Sequence, residues 1–167
     1  MRSFFDILAL MNSDTQVIFL KDHLNFVDEV AGLWHEEWGN ESNENDRERK
    51  RLSVVRNAQK NQIPFILIAM INNELAGSAS VFENDLKNRP ELGPWLAAVV
   101  TKQKYRGQGV AEELISAVIT ECKRLGYTRI YLRTEKADGY FSRLGWKMMH
   151  DTIDENGLPT RVFSKDV

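Results

Sequence analysis

The run Lys104-Tyr105-Arg106-Gly107-Gln108-Gly109-Val110-Ala111-Glu112 gathers residue types suited to holding an anion. Two glycines and an arginine stand where a helix is expected to begin. A helix start offers N–H groups without intrahelical acceptors and the positive end of a dipole, which together suit a phosphate. Glycine lets the main chain approach a ligand closely and adopt conformations closed to other residues. A Walker loop would need Gly-Lys-Ser or Gly-Lys-Thr after four spacers, and none occurs. A dinucleotide fingerprint would need a third glycine where Glu112 stands, inside an early βαβ unit. Taken alone, the pattern is also met by a tight turn joining a strand to a helix.

The elements that must position this turn follow from the periodicity. Residues 95–100 read as an apolar strand before it. Val110, Leu114, Ile115, Val118, Cys122 and Leu125 line one face of a helix after it, up to Gly126. Upstream, 16–20 reads as a strand and 23–38 as a helix with Val27, Val30, Trp34 and Trp38 on one stripe. Asn45 with Glu48 suggests a capping box for a second helix to about residue 59, with Leu52, Val55 and Ala58 as its apolar residues. A buried strand over 63–71 turns at Asn72-Asn73-Glu74 into an antiparallel strand over 75–82. A polar loop spans 83–94. Downstream come a strand over 129–134, a short helix over 137–144, and a hairpin of 146–152 with 160–164. The order β-α-α-β-β-β-α-β-α-β-β predicts an α/β fold, a mixed sheet covered by helices.

With 167 residues, the chain is read as a single domain over 1–167, with 1–14 as an N-terminal extension. In that extension Asp6 interrupts the apolar run, so a short packed segment is expected rather than a signal peptide. A net charge of -2 and a pI near 6.0 give no electrostatic footprint for nucleic acid or an anionic membrane. The lone Cys122 fits a reducing compartment and a buried structural thiol, and a cytoplasmic location is expected. His35-Glu36-Glu37-Trp38-Gly39 begins like a zinc-protease motif but lacks the second histidine, and no metal is expected.

Arg106-Gly107-Gln108-Gly109-Val110-Ala111 resembles the R-x-x-G-x-[G/A] signature of the GNAT superfamily, the acetyl-CoA-dependent N-acetyltransferases. Three further segments are similar in the order that family keeps. They are Pro94-Trp95-Leu96-Ala97-Ala98-Val99-Val100, Arg129-Ile130-Tyr131-Leu132-Arg133-Thr134 and Tyr140-Phe141-Ser142-Arg143-Leu144-Gly145-Trp146. His35-Glu36-Glu37-Trp38 resembles the first-helix segment that often borders the acceptor. The resemblance implies a mixed, mostly antiparallel sheet whose fourth and fifth strands splay apart. It implies that Arg106, Gly107, Gln108, Gly109, Val110 and Ala111 take the diphosphate of acetyl-CoA, and that Val99, Val100 and Thr101 offer main-chain groups to its pantetheine arm. Arg106 adds charge there or is structural, and Val99 and Val100 pack as core in either case.

The implied activity moves an acetyl group directly to a primary amine of a small molecule. A non-catalytic acyl-CoA-binding module and a protein or peptide N-acetyltransferase are the alternatives. An ammonium of pKa about 10.4 must first lose a proton, at a cost of about 4–5 kcal/mol at pH 7. Strand 95–100 contains no acid, so the candidate bases lie in the loop. Glu83 and Glu91 rank slightly ahead of Asp85 there, and each also reads as a solvated charge. A tyrosine on the last short helix often protonates the leaving thiolate in that family. Here Phe141 holds that position and Tyr140 precedes it; adjacent helical residues point about 100° apart, so the two are not interchangeable. Tyr140 is the candidate acid or a core residue. Trp34 and Trp38 either wall the acceptor pocket or pack in the core. Monomer and homodimer both stay open, since edge strands near the C-terminus are able to pair.

Overall fold

In the computed structural model, residues 14–167 are described; nearly all of the expected N-terminal extension lies outside them. The elements are β1 (Gln16–Phe19), α1 (Val27–Trp38), α2 (Asp46–Asn57), β2 (Phe65–Ile71), β3 (Glu74–Phe82), β4 (Trp95–Thr101), α3 (Val110–Arg124), β5 (Arg129–Thr134), α4 (Asp138–Arg143), β6 (Lys147–Ile153) and β7 (Pro159–Asp166). They form one seven-stranded sheet in the order β1-β2-β3-β4-β5-β7-β6. All neighbours are antiparallel except β4 and β5. The mixed, mostly antiparallel α/β fold expected from the sequence is the one observed.

Strand β2 is buried along its whole length, which is why its sequence has no polar face. Its alternate residues feed two cores. Phe65, Leu67 and Ala69 join Leu114, Ile115, Val118 and Cys122 of α3, while Ile66, Ile68 and Met70 join Val30, Leu33 and Trp34 of α1 and Val54 of α2. The Asn72-Asn73 turn has φ of 51° and 63°, the two positive values that a tight hairpin turn requires. A third cluster, Leu86, Trp95 and Val162, sits under loop 83–94 with Tyr131 packed against it.

Four details differ from the sequence reading. The 3-10 turn Leu24–Phe26 occupies the expected start of α1, which begins at Val27, and a second 3-10 turn, Leu20–Asp22, takes the last residue of the expected first strand. Asn45 is the N-cap of α2 but makes no side-chain cap bond; its own N–H is taken by Asn43 Oδ1 at 3.1 Å. The buried face of α2 is Val54 with Ala58 beyond its end, four residues apart, which leaves Leu52 and Val55 exposed. Trp34 is core, donating from Nε1 to Ser78 Oγ at 3.0 Å, whereas Trp38 at the end of the same stripe is exposed.

Candidate functional site

Strands β4 and β5 meet at one place only. Trp95 pairs with Tyr131, whose N–H reaches the Pro94 carbonyl at 2.9 Å, and the ladder stops there. From Ala97 to Thr101, β4 is paired with β3 on one edge and has no ladder partner among the described residues on the other. A bulge lies within this stretch. Ser78 opposes Val100 but Ser80 opposes Ala97, so Ala98 and Val99 together face Ala79. Ala98 has φ of 51°, a left-handed conformation that costs about 1–2 kcal/mol in a residue with a side chain. The close passage of β3 accommodates the bulge: a Cβ on Gly77 would lie 2.5 Å from the Val100 carbonyl oxygen. At the bulge Val99 packs toward α3, and beyond it Val100 packs toward α1.

Thr101 leads through the 3-10 turn Gln103–Tyr105 into residues 106–111. Gly107 and Gly109 have φ of 73° and 81°, and no atom lies within 4 Å of where a Cβ would stand on either. The first bond of α3 runs from the Glu113 N–H to the Gly109 carbonyl at 3.1 Å, so helix geometry gives Val110, Ala111 and Glu112 amides no intrahelical acceptor. Gln108 Nε2 turns back to the Lys104 carbonyl at 3.2 Å. Arg106 donates from Nε to the Thr101 carbonyl at 3.1 Å and holds Nη2 3.6 Å from Glu37 on α1. The turn therefore presents open space and backbone donors at the end of an unpaired strand edge. This is an arrangement that fits a diphosphate followed by an extended amide-bearing arm.

The acid and base candidates fall in different surroundings. Tyr140 Oη is shut off from solvent without a hydrogen bond of ordinary geometry. Burial, then the nearby Glu112 carboxylate in the first turn of α3, push the phenol up to about 12. Phe141 packs edge-on against both Tyr140 and Trp146, with ring centroids 5.2 and 6.1 Å away. Glu83 is exposed, and Glu91 is exposed beside Arg89 at 3.4 Å. Asp85 is the loop acid that the fold encloses. Its Oδ2 accepts from Arg133 Nε at 3.2 Å, and burial raises its carboxyl above the usual range against the opposing pull of Arg133. Arg133 lies two residues beyond Tyr131, where β5 leaves β4, and also faces Asp154 at 3.5 Å and Glu135 at 3.8 Å. The sequence reading passed over Arg133; its signal was a charge on the same strand face as the half-buried Tyr131.

His35 does not join a metal centre. Its Nδ1 lies 3.0 Å from Asp46 Oδ2, which also accepts the Asn40 N–H at 3.2 Å and so closes the loop between α1 and α2. Among the described residues no group of three or more His, Cys, Asp or Glu is placed to hold a metal ion. Burial pushes the Cys122 thiol up to about 12, which makes it inert. A cavity of about 320 Å³ between α1 and α2 and a groove of about 390 Å³ between β1 and α3 take no lining from residues 97–101 or 106–111.

The sequence model of the "Acetyltransferase (GNAT) family" matches residues 27–146, which span α1, the bulged strand, the turn and α4. The chain belongs to this family. No curated protein sequence matches it. Among solved structures, an aminoglycoside 6'-N-acetyltransferase complexed with coenzyme A is similar, with a TM-score of 0.73 at 15% identity, over 90% of this chain and 96% of that one. The aminoglycoside 6'-N-acetyltransferase from Enterococcus faecium gives 0.70 at 16% identity over 90% and 96%. yncA, a putative acetyltransferase from Salmonella typhimurium with its cofactor acetyl-CoA, gives 0.68 at 15% over 93% and 94%. At these identities the structural likeness speaks for the GNAT fold. No helix of the described residues is long and apolar enough to cross a membrane.

Proposed function

We propose that the protein binds acetyl-CoA along the open edge of β4 and transfers its acetyl group directly to a primary amine of a small molecule. The observation that carries this reading is the continuity of two features. The unpaired edge at 97–101 leads through the 3-10 turn Gln103–Tyr105 into the glycine turn at 106–111. Backbone amides of that turn would hold the diphosphate, with Gly107 and Gly109 leaving it room. The edge groups of Val99, Val100 and Thr101 would hold the amide-bearing arm as an added strand holds. The coenzyme supplies the acetyl thioester. The Val99 N–H, turned by the bulge, is assigned to the developing negative charge on the thioester oxygen.

Asp85 is the base assigned here, acting directly or through one water, because it is the loop acid the fold encloses, held by Arg133 at 3.2 Å just past the point where β5 leaves β4, and burial raises its carboxyl above the usual range. Tyr140, kept protonated by burial and by Glu112, is assigned as proton donor to the departing sulfur. A small-molecule acceptor is supported by fold likeness to aminoglycoside acetyltransferases of nearly the same extent. Thiol release from acetyl-CoA across a panel of small amines tests the reading. Turnover with at least one amine above the buffer blank is expected, and binding of coenzyme A with no turnover would leave an acyl-CoA-binding module instead. Asp85→Asn should lower kcat about a hundredfold and leave coenzyme A affinity unchanged. It should also remove the acidic limb of kcat/KM, which the raised carboxyl places above the usual carboxylate range.

A further inference from the structure

Lys102, Lys104 and Arg106 alternate along the segment that leads into the turn, and each is met by a carboxylate from another element. Lys102 lies 3.0 Å from Glu29 and Arg106 3.6 Å from Glu37, both on α1. Lys104 donates to Oε2 of Glu74, the first residue of β3. The same oxygen accepts the Tyr105 hydroxyl at 2.7 Å. One carboxylate oxygen thus holds two consecutive side chains of the 3-10 turn Gln103–Tyr105. Its anchor is firm, since Glu74 follows directly on the tight hairpin turn, pairs with Ile71 and precedes the fully buried Leu75. The grip extends into the turn itself, because Gln108 bonds the Lys104 carbonyl and Arg106 N–H bonds the Gln103 carbonyl at 3.2 Å.

We propose that Glu74 is a positioning residue for coenzyme binding: from the β2–β3 hairpin it fixes the backbone of residues 103–109, so that the amides beyond are already aimed when the diphosphate arrives. The inference rests on the coenzyme reading above. Ordering the turn in advance lowers the cost of binding, since less chain freedom is lost on association. Because Lys104 is matched to Glu74, it serves the turn rather than the phosphate, and a lysine left free by removing Glu74 does not restore affinity.

Coenzyme A titrated calorimetrically into the wild type, Glu74→Ala, Glu74→Gln, Tyr105→Phe and the double variant Glu74→Ala/Tyr105→Phe tests this. Glu74→Ala should raise Kd about fivefold, with the KM of acetyl-CoA rising in step while kcat and acceptor KM stay unchanged. Tyr105→Phe should raise it about threefold, and the double variant should match Glu74→Ala because both remove one shared contact. Glu74→Gln, which keeps an acceptor for Tyr105, should recover part of the loss. An unchanged or tightened Kd in Glu74→Ala, with the wild type binding normally, overturns the inference. A lowered melting temperature with unchanged Kd would show a merely structural role and overturn it equally. A wild type that binds no coenzyme A overturns the coenzyme reading instead.

Discussion

The Tyr140 hydroxyl is buried without a well-formed partner, and its phenol is pushed up to about 12. A buried hydroxyl without a well-formed bond costs folding rather than supporting it, so its removal does not weaken the fold. Tyr140→Phe should leave the melting temperature within about 2 °C of wild type and lower kcat about tenfold or more; an unchanged rate at every pH would remove Tyr140 from the chemistry. At this scale the sequence was informative where backbone type decides and silent where neighbours decide. Gly107 and Gly109 announced their positive φ because few other residues adopt it. Glu83, Asp85 and Glu91 looked alike because what sets Asp85 apart is its burial beside Arg133, 48 residues away in the chain. Likewise, Val54 and Val55 could not be told apart by type; their burial depends on how α2 is rotated against β2.

The seam between β4 and β5 is a property of elements rather than of any side chain. The bulge at Ala98–Val99 lies within it, and just past the bulge β3 runs so close that a Cβ on Gly77, opposite Thr101, would lie 2.5 Å from the Val100 carbonyl oxygen. Gly77→Ala would drive a methyl group into the Val100 carbonyl, where only backbone can yield. A loss of about 2–3 kcal/mol in urea unfolding is expected, with a larger relative loss of coenzyme affinity than a surface variant such as Leu52→Ala gives. Retained affinity at wild-type level would separate the bulge from binding. The element order was legible, since the uninterrupted burial of β2 and β3 around the Asn72-Asn73 turn and the apolar stripe of α3 leave different patterns in the sequence. The bulge left no such trace: alanine carries no turn signal, and its conformation is imposed by the β3–β4 register. The 3-10 turns before α1 were hidden for a related reason, since Leu20 and Leu24 keep helical spacing while the backbone bonds i to i+3.

Across the whole molecule, pH acts through carboxylates held at closures of the fold. Asp46 is held below the usual range by the Asn40 N–H and then His35. Asp154 is held below it first by the Leu158 N–H in the β6–β7 turn, and Asp166 first by Arg129. A carboxyl lowered on folding contributes stability above its unfolded pKa of about 3.9, and that contribution is lost as pH falls through the folded value. The melting temperature should therefore hold from pH 7 to about pH 5 and fall below about pH 4, and the deficit of Asp154→Asn should shrink toward zero in that acid range. Asp85 runs the opposite way, because its raised carboxyl makes its folded form easier to protonate. The backbone from residue 97 to residue 111 carries the central claim, and its ligand can be measured without knowing the acceptor. Isothermal titration of coenzyme A into the wild-type protein should show one site per chain with a Kd on the order of micromolar, displaced by acetyl-CoA. A flat titration at saturating coenzyme A and acetyl-CoA would contradict the account.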